Sequence, residues 1–397
     1  MGGRHAAGPA AGHGHGHGHG QVSAEVDVRR GARTALLGAL ALAGVVALVG
    51  LVWLWPDRSA AAALQEEVSF QAPGVLLVDA TIGSVADGRA SVSIAEGPDA
   101  GARRTVDLPP EVAASGLEEG DTLRLQSPPP VDGGERTYVY FGTDRDGPLW
   151  VLAGLFVLVV LLVARWRGLL ALLGLGFAGL VLLGFVLPAL LTGEPGLAVG
   201  LVGSTLIMVV VLYTTHGFSV RTSAALAGTL AGLVVTALLG LVATRASRLT
   251  GFGDEAAGLL TTYVAGLDLQ DVFTCALVVA GLGVLNDVTI TQSSAVWELR
   301  GAAPGMSRRQ LFLSGMRIGR DHIASTIYTI VFAYAGTALV LLMVLSLYGL
   351  PLGDLLATEE IGQEAVRTLV SSTGLVLAVP ITTAIAVWTV PGPVGRS

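Results

Sequence analysis

Polar side chains that could carry chemistry interrupt one long apolar stretch, GLGVLNDVTITQSSAVWELR (281–300). If this stretch is helical, Asp287 and Glu298 share one face with the hydroxyl residues between them, at i, i+4, i+7 and i+11. A carboxylate inside a bilayer costs roughly 2.5–3.5 kcal/mol, so it must be paired, solvated, protonated or bound to an ion. The stretch therefore predicts an intramembrane polar pathway or ion site centred on Asp287. Its polar residues are Asn286, Asp287, Thr289, Thr291, Gln292, Ser293, Ser294 and Glu298.

A second polar cluster lies in RIGRDHIASTIYT (317–329). Asp321 and His322 are predicted to open a membrane span over 322–348, where the helix macrodipole favours an anion. Histidine titrates near physiological pH, so a proton relay between His322 and Asp287 is one interpretation. The residues added to the candidate pathway by this cluster are Asp321, His322, Ser325 and Thr326, with Thr329 on the same side.

Both clusters also have a purely structural interpretation. Asp287 could belong to a buried pair, or its helix could already reach the cytoplasmic interface at its inner half. The second cluster could be a capped helix entering from the cytoplasm, with Arg317 and Arg320 on lipid phosphates.

Other motifs carry less chemistry. The loop TTHGFSVRTS (214–223) could line an inner mouth or be a simple polar connection, and Gly228 and Gly232 have the spacing that lets two helices pack closely. The alternating His/Gly run near the N-terminus imposes no fixed metal geometry, and metal binding elsewhere is undetermined. Cys275 is the only cysteine, and no hydrolase, zinc-protease or phosphate-loop motif occurs. We therefore predict no catalytic residue, no enzyme activity and no cofactor.

Eight apolar stretches are long enough to hold these residues in a membrane, since about 20 apolar residues cross roughly 30 Å. The composition agrees, with 52% hydrophobic and only 13% charged residues, which excludes an ordinary soluble enzyme and a disordered chain. The segment 254–268 is too short and is predicted to be an interfacial or re-entrant helix. The predicted spans are 36–55, 148–164, 168–191, 196–214, 222–243, 271–296, 322–348 and 368–390.

Residues 60–147 differ in kind, because short alternating segments and turn residues replace the apolar runs. Five strands are predicted, and they suggest a small external OB-like or SH3-like barrel, or alternatively a fragment of a two-sheet sandwich. The strand segments are 75–85, 90–94, 104–109, 121–126 and 137–142.

Arginine placement predicts the orientation. Residues 1–35 are predicted to be a disordered cytoplasmic tail, 36–55 an uncleaved anchor, 148–390 a seven-span domain and 391–397 a cytoplasmic tail. With both termini inside a plasma membrane, eight arginines fall in inner loops and three in short outer loops. The inner set is Arg165, Arg167, Arg221, Arg300, Arg308, Arg309, Arg317 and Arg320, and the outer set is Arg245, Arg248 and Arg367.

The segments 283–300, 317–336 and 214–229 together resemble the YibE/F-like family of bacterial membrane proteins. The resemblance covers about residues 35–390, and the runs NDVTITQ and DHIAST make it fairly specific. It implies a plasma-membrane protein with a multi-span bundle, but it implies no catalytic residue. The matching motif residues coincide with the polar positions that are costly in a membrane.

Two functions remain open from the sequence. The first is transport of an ion or small solute through the polar pathway. The second is a non-transporting scaffold or sensor that uses the external β domain to bind a protein partner. The bilayer is the expected environment in both cases, and no basic stripe suggests nucleic-acid binding.

Overall fold

The computed structural model describes residues 30–67, 74–130, 134–253, 255–264, 266–349 and 351–393. Most of the predicted His/Gly-rich tail (1–35) lies outside the described residues, as do residues 394–397 of the predicted C-terminal tail. The described part combines long helices with one antiparallel sheet.

Two helices precede the sheet. The apolar helix α1 (Arg30–Trp53) contains most of the predicted anchor. A break follows, and α2 (Arg58–Glu67) begins where the Asp57 carboxylate accepts hydrogen bonds from the backbone N–H groups of Ser59 and Ala60. The polar sequence of α2 separates it from the membrane-compatible helix before it.

The five predicted strands are confirmed to within a few residues at each end. They are β1 (Leu76–Ala86), β2 (Arg89–Ile94), β3 (Arg103–Asp107), β4 (Thr122–Ser127) and β5 (Val139–Thr143). All five form one antiparallel sheet in the order β3-β2-β1-β4-β5, which departs from the sandwich alternative. The sheet curls so that its edge strands β3 and β5 approach each other. A short helix, α3 (Pro110–Ala113), lies between β3 and β4.

Alternation of side chains builds the core of this sheet. Val78, Ala80 and Ile82 of β1 are buried, and they pack against residues such as Val92 and Leu125 on the neighbouring strands. A register shift between Ile82 and Ser84 interrupts the β1–β2 pairing. Such a bulge increases local twist and so helps the sheet to curl.

The described residues after the sheet are mostly helical. In the described part, six helical segments are long and apolar enough to cross a membrane. Two further helices, Arg308–Thr337 and Leu339–Tyr348, make a seventh if the 68° bend between them lies within one span. The bounds are α4 (Asp146–Val181), a π-helical turn (Leu182–Val186), α5 (Leu187–Leu191), α6 (Gly196–His216), α7 (Val220–Ala246), α8 (Glu255–Tyr263), α9 (Leu269–Ala302), α10 (Arg308–Thr337), α11 (Leu339–Leu347), α12 (Leu352–Leu356) and α13 (Glu359–Thr389).

The predicted count of eight spans is therefore not reproduced by these helices. The difference arises at 146–191, where two predicted spans form one hydrogen-bonded helical segment. If straight, its 46 residues would extend about 69 Å, more than twice the hydrocarbon core. Arg165 breaks it with φ 54° and ψ −131°. A Cβ added to Gly168 would lie 2.6 Å from the carbonyl oxygen of Val160, so the chain bends back sharply here.

Close helix packing surrounds the polar segment. Helices α7, α9 and α13 pack closely against one another. A Cβ on Gly228 would collide with the side chain of Thr382, and one on Gly232 would lie 2.9 Å from Leu285 of α9. The predicted role of this glycine pair in close packing is thereby confirmed.

Candidate functional site

Helix α9 carries the first polar cluster deep into the bundle. The Asp268 side chain caps it by accepting from the backbone N–H groups of Gln270 and Asp271. Its 34 residues extend about 51 Å, and Asp287 lies about 27 Å from the start. A hydrocarbon core of about 30 Å, crossed fully by α9, includes Asp287 wherever it is placed along the helix.

The polar residues of α9 divide between two faces. The first face is buried in the bundle and joins neighbouring helices. Thr289 Oγ1 lies 2.6 Å from Thr229 Oγ1 of α7, and Ser293 Oγ donates to the carbonyl oxygen of Arg221 at 2.8 Å. These hydroxyls satisfy each other or a backbone group inside the bundle. They therefore act as contacts between α9 and α7.

Gln292 forms the centre of the buried face. Its side-chain amide donates to the carbonyl oxygen of Gly315 at 2.9 Å and to Thr383 Oγ1 at 2.8 Å. A Cβ on Gly319 would lie 3.0 Å from its amide oxygen, so the missing side chains of Gly315 and Gly319 allow this approach. Gln292 thus joins α9, α10 and α13 at one point.

The second face of α9 opens to the outside of the bundle. Asp287, Thr291 and Glu298 are exposed there, and Ser294 is half-buried. The predicted shared face of these four residues is therefore present. Asn286 is half-buried, and its amide oxygen has no hydrogen-bond partner among the described residues.

The second cluster lies in the middle of α10, and the prediction that it opens a helix is wrong. Helix α10 begins at Arg308, after a capping box in which Ser307 and Gln310 exchange side-chain and backbone hydrogen bonds. Asp321 is exposed more than three turns further on, where the N-terminal macrodipole has faded. The expected span was defined by its apolar stretch, which starts later than the helix. Helix α10 begins before that stretch, because arginine and glutamine are good helix formers outside an apolar segment.

The structure brings Asp287 and His322 together. His322 Nε2 lies 3.5 Å from Asp287 Oδ2, an electrostatic contact that is longer than a well-formed hydrogen bond. The Asp287 side chain is 69% exposed and that of His322 29% exposed. This contact joins α9 to α10.

A groove of about 310 Å³ lies beside this pair, between α9 and α10. Asp287 is its charged member, and Thr326 and Thr329 line the same space. Both threonines donate to their own helix, Thr326 to the carbonyl oxygen of His322 and Thr329 to that of Ser325. Their oxygens keep lone pairs that can accept from a solute in the groove.

The loop 214–223 uses its polar residues locally. Ser219 caps α7 by accepting from the backbone N–H of Thr222, and Tyr213 Oη lies 3.0 Å from Ser223 Oγ. His216 Nδ1 contacts the neighbouring Thr215 hydroxyl. These contacts favour the interpretation of this loop as a polar connection.

Several residues of the buried network escaped the sequence prediction. Thr229 and Thr383 are fully buried partners of Thr289 and Gln292, but single threonines in apolar helices are common and carry no distinctive pattern. The spacing of Gly315 and Gly319 was the available signal, since it parallels the glycine pair of α7. Within the described ranges, no group of three or more His, Cys, Asp or Glu side chains is arranged to hold a metal ion.

Comparison with known proteins adds one finding. A family model described as YibE/F-like protein matches residues 152–392, which include α9, α10 and the Asp287–His322 pair. Helix α1 and the sheet lie outside the match. Neither the curated proteins nor the solved structures contain a match to this chain.

Proposed function

The chain belongs to the YibE/F-like family, and from that premise we propose that it is a membrane permease whose ion- or proton-binding element is the Asp287–His322 pair. The observation that carries the proposal is this 3.5 Å pair, at mid-depth in α9 and beside a groove. A carboxylate and an imidazole in contact can exchange or share a proton, and the carboxylate can bind a cation when the imidazole is neutral. The proposed role is transport and not enzyme catalysis.

The buried network supports this role because it holds the pair in position. Gln292 joins the three helices about one and a half turns from Asp287, and Thr289 joins α9 to α7. The broken geometry of α10 and α11 adds a second supporting feature, since discontinuous helices are frequent at transporter sites. A rigid interior beside an open polar face suits a site that binds and releases a small solute.

The proposed topology has eight crossings in a plasma membrane, with both termini in the cytoplasm. The sharp bend at Arg165 supports two crossings within 146–191, and Arg165 and Arg167 then lie at the inner surface. The sheet then lies on the outer side. Its strand order, its approaching edge strands and the helix between β3 and β4 support an OB-like barrel.

A second candidate function rests on this sheet. A polar hollow of about 370 Å³ lies on β1, β2 and β3, lined by side chains that include Ser91, Arg103 and Glu119. A barrel with such a surface could bind a partner or ligand outside the cell, as a scaffold or sensor. Transport would then be absent, and Asp287 would be a structural residue.

The test reconstitutes the full chain in vesicles under imposed gradients of protons, Na⁺, K⁺, Mg²⁺ or Zn²⁺, each vesicle sample containing a dye sensitive to the ion tested. We expect flux above that of empty vesicles for at least one ion, and loss of this flux in Asp287→Asn. Glu298→Gln is the matched control, because it removes an exposed acid from the same helix face. Equal flux from wild type and Asp287→Asn would contradict the proposal. A second readout is the growth of a strain that lacks this protein. If Asp287→Asn rescues that strain and a version without residues 60–147 does not, the result favours the scaffold function.

A further inference from the structure

An uncovered polar strip lies on the outside of the bundle at α9 and α10. Asp287 is 69% exposed although it lies at mid-depth of a membrane-crossing helix. Thr291 continues the strip along α9, and Ser325 and Thr329 continue it along α10. Nothing in the described part of the chain covers these side chains. In a single copy they would face lipid chains, which offer no hydrogen bonds.

We propose that a second copy of this chain covers the strip, so that the protein is a two-fold symmetric dimer through α9 and α10. A two-fold axis along the membrane normal keeps every residue at its own depth. The hydroxyls and the Asp287–His322 pair of one copy then meet the same groups of the other. The polar groups of one copy then pair with polar groups of the other, and neither set is left in contact with lipid chains.

Charge complementarity favours a second copy as the occupant. The exposed groups along α9 and α10 include acids, such as Asp287 and Asp321, and bases, such as Arg317 and Arg320. A surface with both signs can pair with itself, whereas a surface of one sign repels itself. Lipid chains carry no charge of either sign, so they cannot complement these groups.

Shape complementarity points to the same occupant. The groove beside Asp287 is lined partly by the small residues Gly283 and Ala333. Next to it, Tyr328 and Phe332 stack with ring centroids 6.5 Å apart and project from α10, exposed by 65% and 71%. In a two-fold pair, this aromatic ridge can pack against the small residues at the edge of the other copy's groove and leave Asp287 accessible. Small residues opposite bulky ones permit close helix packing in membranes.

This inference goes beyond the proposed function, since it depends on the exposure of Asp287 and not on transport. The test uses full-length protein with Cys275→Ser, which removes the only native cysteine. Ser325→Cys places a thiol on the strip, and Leu238→Cys, 57% exposed on α7, is the matched lipid-facing control. A short bis-maleimide is added to native membranes, and the products are separated on a denaturing gel.

We expect a product of twice the chain mass from Ser325→Cys, several-fold stronger than from Leu238→Cys. Equal yields from the two positions would overturn the proposal, and so would a product of another mass, which would assign the strip to a different protein.

Dilution in vesicles, with subunits counted by single-molecule photobleaching, gives a second measurement. Asp287→Ala should weaken association about tenfold, which corresponds to ~1.4 kcal/mol. Wild-type protein that stays monomeric at every dilution would also overturn it. Because the readout is subunit number, failure of the dimer is distinguishable from failure of transport.

Discussion

Gln292 Nε2 lies 2.8 Å from Thr383 Oγ1, although 91 residues separate them in the chain. The same amide reaches the carbonyl oxygen of Gly315, and the Gln292 side chain is almost fully buried. A primary amide in this position has few alternatives to these partners, because hydrocarbon and apolar side chains surround it. The contact therefore determines how α9, α10 and α13 sit beside Asp287.

Replacing Gln292 with Leu should lower the free energy of unfolding in detergent by about 1–2 kcal/mol, because two interhelical hydrogen bonds are lost. Thr383→Val should cost less, since the Gly315 contact remains. The double variant should lose at most a few tenths of a kcal/mol more stability than Gln292→Leu alone, because both changes remove the same hydrogen bond. Thermal unfolding of the purified variants measures all three, and fully additive losses would show that the two side chains act separately.

His322→Gln should reduce flux, because glutamine can hydrogen-bond to Asp287 but cannot pass a proton to it as an imidazole can. Asp321→Asn is the neighbouring control, and its flux should stay near that of wild type, since Asp321 is exposed and lies away from the groove lining. The measurement is the vesicle flux assay repeated across pH. If Asp321→Asn lowers flux as much as His322→Gln does, the Asp287–His322 pair is not specifically required for flux.

Gly228→Ala should destabilise the bundle by about 1–3 kcal/mol, because the added methyl group collides with Thr382 of α13. Gly176→Ala on α4 is the matched control, since nothing lies within 4 Å of its added methyl group. In a helix, that control should be neutral or stabilising by up to about 1 kcal/mol. Melting temperatures of the two variants in the same detergent give the comparison, and equal shifts would count against close packing at Gly228.

Tyr138 gives a pH-dependent prediction for the sheet. Burial raises its pKa above the ordinary value near 10, and its hydroxyl donates to Asp99 Oδ2 at 3.0 Å, which raises the pKa further. The protonated form is thus favoured in the folded state. Its contribution to stability is complete below pH 10 and is lost as the pH rises through the folded-state pKa.

The full chain and its Tyr138→Phe variant should therefore differ in this range. Wild-type absorbance at 295 nm should include one tyrosine that ionises late, and the variant should lack that component. The alkaline loss of sheet stability should also be smaller in the variant. Identical titration curves would contradict the assignment. Tyr140→Phe, two residues further along in β5, is a suitable control, because the Tyr140 hydroxyl contacts Thr143 and not Asp99.

Much of the local structure could be predicted from the sequence. The strand segments and most of the long helices follow from apolar periodicity and turn residues, which depend only on neighbouring positions. The expected face of Asp287, Thr291, Ser294 and Glu298 was correct for the same reason, since helix spacing determines it. The family resemblance was confirmed over 152–392, where the polar motifs lie.

Apolar windows alone missed the start of α10, and they gave the break at 165–167 as a loop between two spans and not as a sharp bend at Arg165. The first depends on the capping box at Ser307, which precedes a polar stretch outside the apolar window. The second depends on a left-handed residue that no glycine announces.

The sequence by itself determined which chemistry is available, because only a few ionisable and hydroxyl side chains occur inside the apolar stretches. The tertiary structure alone decided their partners. It turns Thr289, Gln292 and Ser293 inward as helix contacts, and leaves Asp287 open beside His322. Residues on separate helices meet only through packing, and glycines such as Gly228, Gly315 and Gly319 permit that packing.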